Sequence, residues 1–116
     1  MVRGVAKNGA RVRVEGMIKI DKGANGVDDF LEMRLLLLDD KSQAVAEPKL
    51  EIETNEVKAS HAATVGKIDE EQVFYLTSRG ITGKEAERLI VDGFLNQVVD
   101  KIEDRKIASK VGRIRL

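Results

Sequence analysis

The chain has 116 residues, and its 20 Lys and Arg balance 20 Asp and Glu, so its formal net charge is zero. This length is typical of one domain, or of a small unit with an appended element, and it argues against a multidomain enzyme. Hydrophobic residues at 42% and charged residues at 34% allow a buried core and a polar surface, which excludes a disordered tail and a membrane protein. The balanced charge also argues against a dedicated nucleic-acid binder.

The chain has no cysteine and a single histidine, His61. It therefore lacks disulfides, thiolate nucleophiles and thiolate ligands for zinc or for an iron-sulfur cluster. Any chemistry performed by the chain must use His61 or carboxylates. The N-terminus is not followed by the apolar segment of a signal peptide, so we expect a cytoplasmic protein.

The first part of the chain alternates in the manner of strands separated by turns. Residues 11–15 and 17–20 each alternate between apolar and charged types, which predicts half-buried strands on either side of Gly16. Gly and Asn in residues 21–26 suit a turn. The apolar run within residues 30–38 fits a strand or a helix, and its shortness favours a strand covered on both faces.

Two more strands are predicted before residue 66. One begins at Pro48 and runs to residue 54, and the other covers residues 57–65. In the second strand a period of two puts His61 on one face with small apolar residues, namely Val57, Ala59, Ala63 and Val65. Strands joined only by turns permit a meander, half of a sandwich or a few coils of a parallel β-helix, and periodicity alone does not choose among them.

Beyond Gly66 the apolar period changes from two to about 3.6, which predicts helices. Asp69 followed by Gln72 predicts the start of a first helix, and Gly80 predicts its end. The acidic residues at this start also allow a carboxylate metal site or an acid pair, but they fit a helix start better because acids complement the helix dipole.

A second helix start is predicted at Thr82, where Glu85 completes a capping box. An apolar stripe then predicts one long helix over residues 83–103. The stripe consists of Ala86, Leu89, Ile90, Gly93, Phe94, Gln97, Val98 and Ile102. The basic tail that follows keeps a helical apolar spacing at Ile107, Val111 and Ile114, and we expect it to fray or to contact a partner.

Four segments in order carry the signature of a known family. They read PKLEIE at residues 48–53, SHAATVG at 60–66, DEEQVFYL at 69–76 and SRGI at 78–81. With them the chain strongly resembles the C-terminal part of the SufB/SufD family of iron-sulfur cluster assembly proteins, in its SufD-like form. The likeness extends over almost the whole chain.

The resemblance implies a mainly β fold with C-terminal helices. Residues 1–66 would form the last coils of a right-handed parallel β-helix, and residues 67–116 a small helical region. It also implies a non-catalytic scaffold of the SUF system, working with the ABC-type ATPase SufC, which docks on the helical region. The corresponding docking candidates here are Phe74, Tyr75, Ser78, Arg79, Gly80 and Ile81.

The resemblance further implies pairing with a SufB-like or identical chain through β-helix edges. His61 would lie at this interface, where clusters are thought to form with a cysteine from SufB. Two departures from the family's usual CSHGATVG are Ala59 in place of cysteine and Ala62 in place of glycine. Ala59 removes a thiol beside His61, so this chain alone would bind no cofactor. A transient cluster in the complex would take at most His61 from this chain as a metal ligand.

Each candidate also has a plainer structural interpretation. His61 fits a core or rim histidine that is bonded to a backbone carbonyl, and the aromatic residues at helical spacing fit a core. Arg79 fits a residue that bonds the end of its own helix. Three functions therefore stand: a SufD-like scaffold, which leads; a plain oligomerisation module with open strand edges; and, weakest, a carbohydrate-active β-helix enzyme that uses carboxylates.

Overall fold

The structure is a computed structural model, and it describes residues 1–113, in which five strands are followed by three helices. The strands are β1 (Val2–Ala6), β2 (Arg11–Ile20), β3 (Asp28–Leu37), β4 (Gln43–Ile52) and β5 (Lys58–Lys67). The helices are α1 (Glu70–Ser78), α2 (Gly83–Val99) and α3 (Arg105–Val111). The helical spacing predicted to include Ile114 lies partly outside the described residues. The strands form one compact unit, Met1–Lys67, and a second unit begins at Ile68.

All strand pairs are parallel, and the chain alternates between two sheets. One sheet has the order β1-β3-β5 and the other contains β2 and β4. Val2 lies opposite Met33, and Asp28 lies opposite Lys58, so each strand pairs with the strand after next in the chain. The prediction of a mainly β fold with C-terminal helices is confirmed at this level.

The core of the first unit lies between the inner faces of the two sheets. Met33 and Leu35 of β3 are 0% and 3% exposed, and Ile20 of β2 is 4% exposed. A Cβ atom added to Gly16 of β2 would lie 3.2 Å from Cε of Met33, which shows that the two sheets face each other here. The odd-numbered residues of β3 and β5 and the even-numbered residues of β1, which lie in register with one another, therefore point inward.

The strand break predicted at Gly16 is wrong. The register of β2 with β4 continues without interruption through Gly16, which lies opposite Pro48. A glycine fits this position because its missing side chain makes room for Leu31 and Met33 of the facing sheet. The sequence reasoning also missed β1, a short strand whose only alternation signal is interrupted by Gly4.

Pro48 does not begin its strand as predicted, since it lies in the interior of β4. The amides of Gln43 and Glu53 donate to carbonyl oxygens of Ala10 and Ile20, both at 2.9 Å. The odd-numbered residues of β4 therefore donate toward β2, and an amide at position 48 would point away from β2. The proline thus costs the ladder no hydrogen bond, which is the usual condition for proline within a strand.

The helix starts were predicted correctly. The Asp69 carboxylate accepts from the amides of Glu71 and Gln72, and Thr82 forms a complete capping box with Glu85. Gly80 has a φ of 91°, as the predicted end of α1 requires.

The long helix predicted over residues 83–103 is shorter than expected. It ends at Val99, and the Asp104 carboxylate accepts from the amides of Lys106 and Ile107 to begin the separate helix α3. The predicted stripe is also displaced, because Val91 is buried with Ala86 whereas Leu89 is 48% exposed.

Candidate functional site

The free edge of β5 is the setting of the predicted site. Within the described chain β5 pairs only with β3. The amide of Lys58 donates to the carbonyl oxygen of Val27 at 2.8 Å, so even-numbered residues of β5 bond to β3. The amides and carbonyls of the odd-numbered residues, His61 among them, point away from β3.

His61 lies on the inner-facing side of β5, but its side chain is exposed. It is opposite Leu31 of β3, and its neighbours on the same face are Ala59 and Ala63. Within residues 1–113 its ring makes no hydrogen bond or ion pair. The interpretation as a core or rim histidine bonded to a carbonyl is therefore wrong for the described structure. The predicted common face of His61 with small residues is confirmed.

Asp29 of β3 joins His61 on this face, and the sequence reasoning missed it. Asp29 lies opposite Ala59, and Leu31, two residues further along β3, lies opposite His61. One oxygen of its exposed carboxylate accepts from the amide of Phe30 at 2.8 Å. No local signal links positions 29 and 61, because only the register between the strands makes them neighbours.

The opposite face of the same sheet carries a compact ion cluster. The Glu32 carboxylate accepts from Arg3 at 2.6 Å and lies 2.9 Å from the guanidinium of Arg34. The hydrogen bond from Arg3 is the main reason that the pKa of Glu32 is lowered. Only 2% of the Arg3 side chain is exposed. These charged side chains therefore pair with one another on the face of the sheet opposite to His61.

No group of three or more His, Cys, Asp or Glu side chains within residues 1–113 is arranged to hold a metal ion. The acidic residues 69–71 serve instead at the start of α1, where Asp69 is the N-cap.

The helical docking candidates form an exposed group at the end of α1. Phe74 is 73% exposed and Tyr75 is 55% exposed, so the prediction that they belong to a core is wrong. The guanidinium of Arg79 lies 4.8 Å from the centre of the Tyr75 ring, which is a cation-π contact. The backbone amide of Arg79 donates to the carbonyl oxygen of Leu76 at 3.1 Å, so Arg79 bonds the end of its own helix, as its simpler interpretation predicts.

The remaining docking candidates fix the turn after α1. Ser78 donates to the carbonyl oxygen of Tyr75 at 2.7 Å, and the amide of Ile81 donates to that of Leu76 at 3.3 Å. Gly80 provides the left-handed conformation of the turn. Ile81 then lines a shallow cleft of about 270 Å³ with Glu85, Arg88 and Leu89. The structure thus brings Tyr75 and Arg79 together, leaves Phe74 exposed on the same helix, and gives Ser78 and Gly80 structural roles.

Within residues 1–113, none of the helices has the length and apolar character needed to span a membrane.

Comparison with known proteins identifies the family. Residues 1–94 match the family model described as SUF system FeS cluster assembly, SufBD core domain. The chain is 43% identical over 99 residues to the iron-sulfur cluster assembly protein SufD of Bacillus subtilis, a match that covers 85% of this chain and 23% of that protein.

Mycobacterial relatives give the same result. An iron-sulfur cluster assembly SufBD family protein of Mycobacterium tuberculosis (strain ATCC 25618 / H37Rv) is 47% identical over 88 residues, which is 75% of this chain and 22% of that protein. A second one, of Mycobacterium bovis, is 35% identical over 100 residues, covering 86% and 12% respectively. The chain thus spans less than a quarter of the length of these relatives. Because the family model covers residues 1–94 of the 116, the chain belongs to the SufB/SufD family of iron-sulfur cluster assembly proteins.

Proposed function

We propose that the chain is a non-catalytic scaffold component of SUF iron-sulfur cluster assembly, of the SufD type. The observation that carries the proposal is the match of residues 1–94 to the SufBD core domain. The exposed side chain of His61 and the unpaired edge of β5 support it. The imidazole is a metal ligand, and the unpaired backbone groups of the edge can pair with a strand of a partner.

In this proposal the strands are the last coils of a right-handed parallel β-helix. Two features support the assignment: the strands are all parallel, and the chain passes alternately between two facing sheets. The assignment would make β5 the final strand of the coil stack, where a SufB-like or identical chain pairs with it.

The cluster is the cargo of this scaffold, not a cofactor held by the chain alone. Ala59 stands where the family commonly has cysteine, and the chain supplies no thiolate. His61 would therefore be the chain's ligand to a transient cluster, and the partner would supply the thiolates.

A SufC-like ATPase is the second proposed partner, and it would dock on the second unit. The exposed side chains of Phe74 and Tyr75, with Arg79 over the Tyr75 ring, support this surface. Aromatic and arginine side chains are enriched among the residues that contribute most to binding at protein interfaces.

The test is co-expression with SufB-like and SufC-like proteins, purification without air, and a count of bound iron and sulfide. His61→Ala should lower the iron and sulfide content while the complex stays intact. Ser60→Ala is the matched control, because Ser60 neighbours His61 on the opposite face, and it should leave both counts unchanged. An intact complex with full iron and sulfide in His61→Ala would contradict the cluster role of His61.

A plain oligomerisation module is the second candidate function, and the free edge of β5 is the observation that favours it. The same experiment separates the two functions. The module predicts an assembly in which His61→Ala changes no metal content and no SufC-like protein is retained.

A further inference from the structure

The last strands of the two sheets, β4 and β5, each leave one edge unpaired within the described chain. A partner strand could add to either edge, because each carries backbone groups that bond to no neighbouring strand. The free edge belongs to the odd-numbered residues on β5 and to the even-numbered residues on β4. The two edges differ at one position, because the only proline of the chain, Pro48, is the middle one of the five even-numbered residues of β4.

Apart from Pro48, the free edge of β4 is well suited to strand addition. The strand is ten residues long, and its register with β2 continues through all ten without a bulge. Its inner face carries Leu50, which is partly exposed, and Ile52, which is 41% exposed. A strand added beside β4 would therefore cover apolar surface, and burial of that surface would favour the addition.

The charged side chains of β4 do not protect this edge. Proteins commonly protect long edge strands with charged residues, bulges or proline. The charged side chains on the outer face of β4 each pair with an opposite charge on β2, at 2.7 to 3.3 Å: Glu47 with Arg13, Lys49 with Glu15, and Glu51 with Lys19. Because these charges are compensated and the strand has no bulge, the proline is the protective feature that β4 retains.

Pro48 opposes strand addition to β4 in two ways. It has no amide hydrogen, so a carbonyl of an incoming strand would find no donor at the centre of the edge. Its ring also occupies the space into which the amide hydrogen of another residue would point. The outward amides of Ala46 and Leu50 flank this gap, so a strand on β4 would have an interrupted ladder. The edge of β5 instead offers a donor at every odd-numbered residue from Ala59 to Val65.

We propose that Pro48 closes the edge of β4 to strand addition, so that a partner strand is accepted by β5 alone. The partner that fits contributes one strand to the β1-β3-β5 sheet and leaves the β2-β4 sheet unextended. Pro48 is then a residue that determines the specificity of assembly, although it contacts no strand of the partner. The proposal deepens the proposed scaffold function and rests on its pairing at β5.

The test measures self-association of the 116-residue chain in variants that open or close each edge. Ala63→Pro removes a donor from the free edge of β5 and serves as the parent variant. Pro48→Ala in this parent restores the central donor of β4. It should tighten self-association at least about fivefold in sedimentation experiments, because one net hydrogen bond corresponds to about that factor. Amide exchange should then show added protection at Ala46 and Leu50 that rises with protein concentration.

Ala46→Pro, combined with Pro48→Ala in the same parent, is the matched control. It moves the proline to the adjacent outward position of the same edge and should return self-association to the level of the parent. Equal self-association of the parent and its Pro48→Ala variant would overturn the proposal. Tighter association without added protection in β4 would also overturn it, because the new contact would then lie elsewhere.

A second variant, Pro48→Val, covers the possibility that Pro48→Ala weakens the strand. Valine favours strands and restores the same donor. Urea denaturation shows whether each variant is folded, and a folded Pro48→Val variant that associates no more tightly than the parent would contradict the proposal. The isolated chain is measured without iron or sulfide. Failure of the proposal is therefore distinguishable from failure of the scaffold function, which the iron and sulfide count of the complex tests.

Discussion

At the scale of single residues, two strand glycines of the same sheet differ in the space around them. A Cβ atom on Gly4 of β1 would lie 2.7 Å from Cδ2 of Leu35, which is 3% exposed. A Cβ atom on Gly66 of β5 would meet nothing within 4 Å. The first glycine is therefore required by packing and the second is not.

Gly4→Ala should accordingly lower the free energy of unfolding by about 1–3 kcal/mol, the usual cost of adding a methyl group to a packed core. Urea denaturation monitored by circular dichroism gives the value. Gly66→Ala is the control and should leave the free energy of unfolding unchanged. An equal loss in both variants would show that the effect comes from strand glycine in general and not from Leu35.

Asp39 is the acceptor of the turn between β3 and β4. Its carboxylate accepts from the amides of Lys41 and Ser42 at 2.9 and 2.8 Å and from the Ser42 hydroxyl at 2.9 Å. Partial desolvation raises the pKa of Asp39, and the hydrogen bonds, with a weaker one from Gly9, outweigh it, so the net pKa is lowered. The turn is therefore most stable when Asp39 is charged.

Asp39→Asn should lower the melting temperature at pH 7 and should reduce the loss of stability below about pH 4, the region in which an ordinary aspartate becomes protonated. Thermal unfolding at pH 7 and pH 3.5 measures both effects. Asp40→Asn is the neighbouring control for the turn contacts, since Asp40 makes none of them. The assignment would be contradicted if Asp39→Asn lowered the melting temperature by the same amount at pH 3.5 as at pH 7.

At the scale of the elements, hydrogen-bond parity divides β5 into bonded and free positions. The amide of Ala62 points toward β3, whereas that of Ala63 points to the free edge. Pro48 in β4 already shows that an outward amide position tolerates proline in this fold.

Ala63→Pro should therefore leave the chain folded, whereas Ala62→Pro should remove a ladder hydrogen bond and lower stability by at least about 1 kcal/mol more. Urea denaturation of the two variants checks the difference. In the proposed complex Ala63→Pro should also weaken pairing with the partner, because it removes a donor from the free edge. Greater destabilisation by Ala63→Pro would reverse the parity assigned to β5.

The capping box of α2 is the clearest local signal in the chain, and its contribution can be measured. Thr82→Ala removes the oxygen that accepts from the Glu85 amide and should cost about 1 kcal/mol of stability. Thr82→Ser keeps the oxygen and should stay close to the wild type. Thermal unfolding followed at 222 nm, with amide exchange at Glu85, tests the pair of variants. Loss of stability in Thr82→Ser comparable to that in Thr82→Ala would point to the methyl group instead of the cap.

At the scale of the whole molecule, local patterns predicted the helix starts but not the sheet pairing. Asp69 and Thr82 each bond to amides within three residues, so their sequence neighbours carry all the necessary information. The interior positions of Gly16 and Pro48 depend on strands that are distant in the chain. At the site, the strand pattern alone predicted the face on which His61 lies. Its neighbour Asp29 could not be predicted, because only the register between β3 and β5 brings the two residues near each other.

The two units also differ in the number of acid-sensitive contacts among the described residues. In the strand unit the pKa of Glu15 is lowered by hydrogen bonds from Lys49 and Arg13, that of Glu32 by Arg3, and that of Asp39 as described. Among the helical-unit residues that the structure describes, only Glu85 has a lowered pKa, chiefly through its hydrogen bond with Thr82.

A lowered pKa in the folded state stabilises the fold above the ordinary pKa and loses that contribution as the pH falls toward the folded value. With ordinary values of 4.5 for Glu and 3.8 for Asp, the loss should begin near pH 4.5 and continue below pH 3.8. Because three of the four groups belong to the strand unit, amide exchange in β2 to β4 should accelerate in this window before exchange in α2. Exchange rates corrected for the intrinsic pH dependence test the order, and earlier loss of protection in α2 would contradict it.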